Sequence, residues 1–212
     1  MNPGRLFVFS LLVSGLMSGA TQAVAQAGGD GLVEVRSRYL DRVQLRPQAD
    51  FAAYKLVLIE SVPVNVRTQS NTNERYPRRI PPEQEKAIAE AAAATVQNAL
   101  AQAFKARGYE IAAAPGPGVL RLSPSVPELV INAPAGGPAT RSYTTEAGTA
   151  KLALQVRDAA SGAVLAQIAH KGDTTRTGLR MTDQTTNRFW FESLFNRWAV
   201  DCAEALKTPA KH

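Results

Sequence analysis

The sequence predicts an α+β domain, a two-layer sandwich in which a mostly antiparallel sheet carries both helices on one face. Three observations lead to this prediction: an amphipathic helix at residues 82–108, an alternating β-hairpin at residues 151–171, and a second amphipathic helix at residues 189–207. The full order is strand, helix, strand, strand, strand, helix. Runs of strands set apart from helices are typical of α+β folds rather than of alternating α/β folds.

The helix at residues 82–108 is predicted by its ends and by its periodicity. Pro81 and Pro82 stand where a missing N–H has no consequence, and Gly108 follows the last turn as a helix stop. Apolar side chains recur at spacings of three and four, which favours burial against the sheet over a partner- or membrane-binding helix. These side chains are Ile88, Ala92, Val96, Ala99, Leu100, Ala103 and Phe104.

Five further stretches are predicted as strands or turns. Val43 and Leu45 alternate in a short extended piece, and residues 55–66 form the clearest strand, covered on both faces at its start, with Pro63 indicating an edge. Residues 109–114 form another strand, and residues 115–118, Pro-Gly-Pro-Gly, form a turn. Pro124 and Pro127 predict a bent or edge strand over residues 119–133.

The hairpin at residues 151–171 shows the period of two that a half-buried sheet requires. Apolar side chains alternate up one strand and down the next, on either side of a turn at residues 158–162. The intervening side chains are polar and predict one wet face of the sheet. They are Lys151, Gln155, Arg157, Gln167 and Lys171.

The C-terminal segment, residues 189–207, predicts a helix whose aromatic stripe docks on the sheet. The stripe comprises Phe191, Leu194, Phe195, Trp198, Cys202 and Leu206. Residues 28–208 are therefore expected to form a single domain, followed by a frayed tail at residues 209–212.

The first 27 residues predict a cleaved signal peptide and a periplasmic protein. Arg5 precedes an apolar run over residues 6–16, which is too short to span a bilayer, and small residues lead to the A-x-A sequence that ends at Ala27. A second A-x-A sequence ends at Ala25. No cysteine follows the run, so no N-terminal lipid anchor is expected, and no later segment has the length and apolarity of a membrane span.

Composition limits the partners. The formal charge is +6, and the single cysteine, Cys202, excludes an intramolecular disulfide. A basic cytosolic protein would suggest nucleic acid, but an exported one does not, so the expected partners are an envelope protein or an anionic envelope polymer. The alternative is that the charge serves only solubility.

No catalytic, cofactor or metal motif is found in the sequence, so none of these roles is assigned to a residue. His170 stands alone, and Cys202 lies on an apolar stripe, where burial is expected. A hydrolase would have to be assembled from distant carboxylates, for which the candidates are Glu34, Asp41, Asp158 and Asp173.

Three polar loops, at residues 67–81, 134–148 and 172–188, predict a binding or accessory protein of the cell envelope that is not catalytic. Arginine and tyrosine are enriched at recognition surfaces. The predicted exposed contacts are Arg75, Tyr76, Arg78, Arg79, Arg141, Tyr143, Arg176 and Arg180. Two alternatives stay open: a hydrolase of an envelope polymer, and a carrier of a small apolar ligand in the gap between helix and sheet.

Several segments also resemble one known family. These are residues 31–64, with Arg46-Pro47 followed by Phe51 and Tyr54, residues 108–122, GYEIAAAPGPGVLRL, and residues 154–167, LQVRDAASGAVLAQ. They are similar to DUF3313, a family of proteobacterial envelope proteins of unknown function that includes many lipoproteins. The resemblance implies an envelope location but no activity and no functional residues. The lipoprotein members have a cysteine after the apolar run, and this sequence does not. The difference favours a soluble periplasmic form.

Overall fold

The computed structural model describes residues 31–69, 81–132, 142–144, 148–173, 180–182 and 184–207. Within these ranges the helices are α1 (Pro82–Lys105) and α2 (Gln184–Ala205), and a short 3-10 helix spans Phe51–Ala53. The strands are β1 (Val33–Val35), β2 (Arg42–Leu45), β3 (Leu56–Ile59), β4 (Val64–Gln69), β5 (Glu110–Ile111), β6 (Val119–Asn132), β7 (Ser142–Thr144), β8 (Gly148–Asp158), β9 (Val164–Asp173) and β10 (Arg180–Thr182).

Eight of these strands form one mixed, mostly antiparallel sheet, and the predicted α+β class is confirmed. The strand order is β1-β2-β9-β8-β6-β3-β5, with β4 also paired to β6. β3 and β4 run parallel to β6, and β5 runs parallel to β3, whereas the pairs that involve β1, β2, β8 and β9 are antiparallel. The strands β7 and β10 form a separate antiparallel pair.

One face of the sheet, here called the core face, carries apolar side chains in continuous cross-strand rows. The first row is Leu122, Val156, Ala166 and Leu45, and the second is Pro124, Leu154, Ile168 and Val43. Apart from Pro124, these rows share one hydrophobic cluster with the buried stripes of α1 and α2. The sheet therefore holds both helices through a single core, as period-two strands and period-3.6 helices require.

Both predicted helices are present with the predicted buried faces. All seven predicted stripe residues of α1 lie in or against the core, Ile88 being only partly buried, and all six predicted stripe residues of α2 are buried. Gly108 has a φ of 87°, as a residue that ends a helix often does, although α1 itself ends at Lys105. α2 begins at Gln184, five residues before the predicted start. Within the described residues, no helix is long and apolar enough to cross a membrane.

The predicted strand over residues 55–66 was wrong as one piece. It is broken into β3 and β4, and both pair with successive halves of β6. Pro63 lies in the gap, where its carbonyl accepts a hydrogen bond from Val126 N–H at 2.9 Å. Of the apolar start, Val57 alone is fully buried, so coverage on both faces was also overestimated.

One other strand prediction needs correction, and another is confirmed for one of its two alternatives. The strand predicted over residues 109–114 is only the two-residue edge strand β5, whose Ile111 is exposed. The strand over residues 119–133 is bent, as its prolines predicted, but it is central rather than at an edge. Its register with β8 shifts between Ser125 and Glu128, and this irregularity accommodates Pro127, which has no N–H for the ladder.

The three predicted loops contain more regular structure than expected. β4 extends to Gln69, β7 lies inside the second loop, and β9 and β10 occupy parts of the third. Strands this short span too few residues to show a clear period of two. Their formation depends instead on pairing with residues far away in sequence.

Candidate functional site

The second face of the sheet, here called the open face, is polar and carries a groove. Successive side chains along a strand point to opposite faces of the sheet, so the side chains of the open face point away from the core face. One cross-strand row, here called the polar row, runs through Ser123, Gln155, Gln167, Gln44 and Glu34. The neighbouring row, here called the small row, runs through Ser125, Ala153, Ala169 and Arg42.

The small row forms the floor of the groove. Short side chains at Ser125, Ala153 and Ala169 leave space between taller neighbours. The groove has a volume of about 590 Å³ and is lined by the polar row from Ser123 to Gln44, by Arg42, and by the residues that connect β3 to β4, among them Glu60 and Ser61. The break in the strand pairing at residues 60–63 thus supplies one end of the groove.

Glu60 anchors that end through hydrogen bonds. Its Oε1 accepts from the guanidinium of Arg121, with 2.7 Å to Nε, and its Oε2 accepts from the hydroxyl of Ser123. The hydrogen bonds from Arg121 and then from Ser123 lower the pKa of Glu60, and the nearby charge of Arg157 acts in the same direction. Glu60 is therefore an ionised, partnered carboxylate, which suits holding the groove wall rather than transferring protons.

The glutamines of the polar row present amide groups to the groove. Gln44 lines the groove, is only 6% exposed, and makes no side-chain hydrogen bond with the residues that the structure describes. Gln155 accepts a hydrogen bond from Arg157 Nη2 at 2.6 Å, so its amide nitrogen is left as the donor. A primary amide offers both donors and acceptors, so the row can bind neutral polar groups of either kind.

The wet face predicted from the hairpin is this open face. Lys151 and Lys171 are exposed, and Gln155, Arg157 and Gln167 are half-buried. The sequence did not single out Gln44 or Ser123, because the pairing that aligns them with the hairpin joins distant segments. The one available signal was that polar residues at positions 44 and 123 alternate with apolar neighbours.

Most of the predicted contact residues lie outside the described residues. These are Arg75, Tyr76, Arg78, Arg79, Arg141 and Arg176. Tyr143 and Arg180 lie on β7 and β10, where the pairing aligns Tyr143 with Met181 and Thr144 with Arg180. Two of the three predicted loops are thus joined by a small sheet.

The carboxylates considered for a hydrolase have separate surroundings. Glu34 Oε2 lies 3.7 Å from Arg42 Nε, and Asp158 accepts hydrogen bonds within its own turn. Of these four candidates, Asp41 lies beside His170, with Oδ2 3.4 Å from Nδ1, and it also accepts the Lys171 N–H at 2.6 Å. This acid–base pair lies on the core face, away from the groove. No group of three or more metal-ligating side chains occurs in the described part of the chain.

Cys202 is buried, as predicted. Complete burial raises the pKa of its thiol, and the neighbouring charge of Asp201 adds to this effect. A neutral, inaccessible thiol is a poor nucleophile, so Cys202 serves packing.

A comparison with known protein families identifies the family of this chain. The sequence profile of DUF3313, described as a protein of unknown function, matches residues 30–202. The chain belongs to this family. The resemblance seen in the sequence is thereby confirmed, and the DUF3313 match covers α1, the whole eight-stranded sheet and most of α2. No curated protein sequence matches the chain.

Several solved structures are distantly similar to this DUF3313 protein. A PelC dodecamer from Paraburkholderia phytofirmans is 15% identical, with 75% of this chain and 96% of that chain covered and a TM-score of 0.37. A DUF330 protein from Xanthomonas campestris is 13% identical, with 74% and 83% covered and a TM-score of 0.41. A DUF4136 protein from Bacteroides thetaiotaomicron is 13% identical, with 81% and 98% covered and a TM-score of 0.35.

Proposed function

We propose that this DUF3313 protein is an exported, non-catalytic binding protein of the cell envelope that holds its ligand in the open-face groove. The observation that carries the proposal is the polar row above a floor of small side chains. In the two-layer arrangement that we propose, both helices cover the core face, so the open face is left for a ligand. Concave surfaces with a few convergent polar groups are the usual form of binding sites.

The ionisation and hydrogen bonding of the carboxylate in the groove favour a binding function over hydrolysis. The carboxylate that lines the groove, Glu60, is held by Arg121 and Ser123, and its lowered pKa keeps it from acting as an acid at neutral pH. A pair of carboxylates with separated pKa values, which glycoside hydrolysis usually requires, is absent from the described lining. A carrier of a small apolar ligand in the gap between helix and sheet is disfavoured because the groove lies opposite the core face and carries the polar row along it.

Blocking the groove tests this proposal. Ala169 is exposed on the groove floor, so Ala169→Trp should fill it, whereas Ala91→Trp adds the same side chain to an exposed position of α1. Both variants and the wild type would be mixed with isolated envelope material and sedimented. We expect Ala169→Trp to lose most of the retention and Ala91→Trp to keep it. Equal retention of the two variants would reject the groove as the binding site.

The proposed location has its own test. In the proposed export, the signal peptide is cleaved after Ala27, which leaves residues 28–208 as one domain with a short tail. N-terminal sequencing of the protein recovered from a periplasmic extract should begin at Gly28, or at Gln26 if the earlier site is used. A protein that keeps Met1 and stays in the cytoplasm would overturn the assignment.

The loop arginines and tyrosines are proposed as a second contact surface for an envelope protein or an anionic polymer. The pairing of β7 with β10 supports this idea, because it brings the segments of Tyr143 and Arg180 together. No cofactor and no nucleic acid enter the proposal.

A further inference from the structure

We infer that the open-face groove binds a neutral, extended glycan whose chain runs across the strands along the polar row. This inference rests on the proposed binding function and adds the chemical class of the ligand. Four properties of the groove carry it: balanced charge, amide hydrogen-bonding groups, their spacing, and an apolar floor.

The charged side chains of the groove already have partners. Of the residues that line it, Arg42 and Glu60 carry charge. Arg42 lies beside Glu34, and Glu60 is hydrogen-bonded to Arg121. Beyond the small row, Lys151 donates to Glu128 Oε2 at 3.0 Å. Because each lining charge is compensated, the groove itself has little to attract a polyanion or a polycation, and complementarity favours a neutral ligand.

The neutral polar groups match hydroxyl groups. A sugar hydroxyl both donates and accepts, as does a glutamine amide. Gln44 as a whole is only 6% exposed, but its amide is not among the buried, unpaired polar groups, so it is reachable from the groove that it lines. A ligand hydroxyl beside Gln44 would find both a donor and an acceptor in this amide. Gln155, whose oxygen is taken by Arg157, would donate.

The spacing of the polar row suits a repeating chain. Neighbouring strands lie about 4.8 Å apart, so Ser123, Gln155, Gln167 and Gln44 present one hydrogen-bonding group per strand at that interval. This interval is comparable with the length of one pyranose unit in an extended glycan. A chain lying across the four strands would meet one side chain with each sugar.

The floor supplies the remaining complementarity. A pyranose ring has polar edges and apolar C–H faces. The methyl groups of Ala153 and Ala169 lie beside the polar row and offer an apolar surface for such a face, while the glutamines meet the edge. Larger side chains at either position would exclude the ring.

NMR titration of the protein expressed from its full sequence tests the inference. The side-chain NH₂ signals of Gln44, Gln155 and Gln167 report directly on the groove. We expect these signals to shift on addition of chitotetraose or maltotetraose, and not on addition of tetragalacturonate or of an end-blocked tetra-alanine peptide. A shift with the anionic sugar or the peptide alone, or with no probe, would overturn the glycan assignment.

Matched variants link the signal to the groove. Gln155→Leu removes the donor in the polar row, and Gln97→Leu makes the same exchange on the exposed side of α1. Loss of one hydrogen bond should weaken glycan binding by roughly three- to tenfold in Gln155→Leu and leave Gln97→Leu at the wild-type affinity. Equal affinities would overturn the inference.

The two proposals fail in different ways. If Ala169→Trp abolishes retention on envelope material but neither neutral sugar binds, the groove is functional and only the ligand class is wrong. If Ala169→Trp retains full envelope binding, the proposed function itself fails at this site.

Discussion

Arg107 binds Glu204 across the junction of the two helices. Its Nη2 donates to Glu204 Oε2 and to the Val200 carbonyl, each at 3.0 Å, and its Nη1 donates to the Ala103 carbonyl at 3.1 Å. The side chain of Arg107 is only 12% exposed, whereas that of Glu204 is 63% exposed. The bond to the Val200 carbonyl therefore ties the end of α1 to α2 more firmly than the exposed ion pair does, while the bond to the Ala103 carbonyl holds the Arg107 side chain against the last turn of α1.

Replacement of Arg107 should destabilise the protein through these carbonyls. Arg107→Ala leaves them without their partner, and we expect the free energy of unfolding to fall by about 1–3 kcal/mol in urea titrations. Glu204→Gln removes only the exposed charge, and a loss of less than about 1 kcal/mol is expected. A larger loss in Glu204→Gln than in Arg107→Ala would show that the ion pair carries the junction.

The turn between β8 and β9 should make stability depend on acid pH. Asp158 Oδ1 accepts from Ser161 N–H at 2.6 Å and from the Ser161 hydroxyl at 2.7 Å, and Tyr54 Oη donates to Oδ2 at 2.9 Å. These hydrogen bonds, led by the backbone N–H of Ser161, lower the pKa of Asp158 below its ordinary 3.8. The folded state thus favours the carboxylate.

The sign of the pH effect follows from that direction. A lowered folded pKa contributes stability that is present above the ordinary pKa and is lost as the pH falls through the folded one. Urea titrations of the wild type at about pH 6 and about pH 3 should show this loss, and Asp158→Asn should show a smaller difference between the two. Glu110→Gln, on the edge strand, serves as the control. An unchanged pH dependence in Asp158→Asn would contradict the assignment.

Gly148 should tolerate no side chain. Its φ is 148°, it is buried, and a Cβ there would collide with the backbone carbonyl oxygen of Val130 on β6. Because that carbonyl belongs to the ladder, it cannot move aside, and Gly148→Ala should cost more than about 2 kcal/mol of unfolding free energy. Gly116→Ala, which meets nothing within 4 Å, should change it by less than about 0.5 kcal/mol. Similar thermal midpoints for the two variants would refute the collision.

The elements with strong local periodicity could be predicted, and those that depend on distant pairing could not. The stripes of α1 and α2 and the alternation around Leu154 are visible within single segments. The break between β3 and β4 could not be foreseen, because it depends on how both halves pair with β6, which lies far along the chain. The pairing of β7 with β10 is equally invisible to local patterns.

The same distinction explains the candidate site. The polar face of the hairpin was visible as alternating residues such as Gln155 and Gln167. The groove exists because register places Gln44 and Ser123, which lie 79 positions apart, on either side of the hairpin. Side chains contributed by four strands form a surface only after the sheet order is known, so composition and spacing pointed instead to the arginine-rich loops.

Those loops give the last prediction, which separates two contact surfaces. Arg75, Arg78 and Arg79 precede α1 and are predicted to contact an envelope protein or an anionic polymer. Their combined reversal to glutamate should abolish crosslinking to that partner, because opposite charge turns attraction into repulsion. Crosslinking in the periplasm followed by mass spectrometry would measure this, with Lys86→Glu on the exposed side of α1 as the single-charge control. If the triple variant recovers the same partners as the wild type, the loop surface is wrong. If Ala169→Trp then loses them, the groove alone carries recognition.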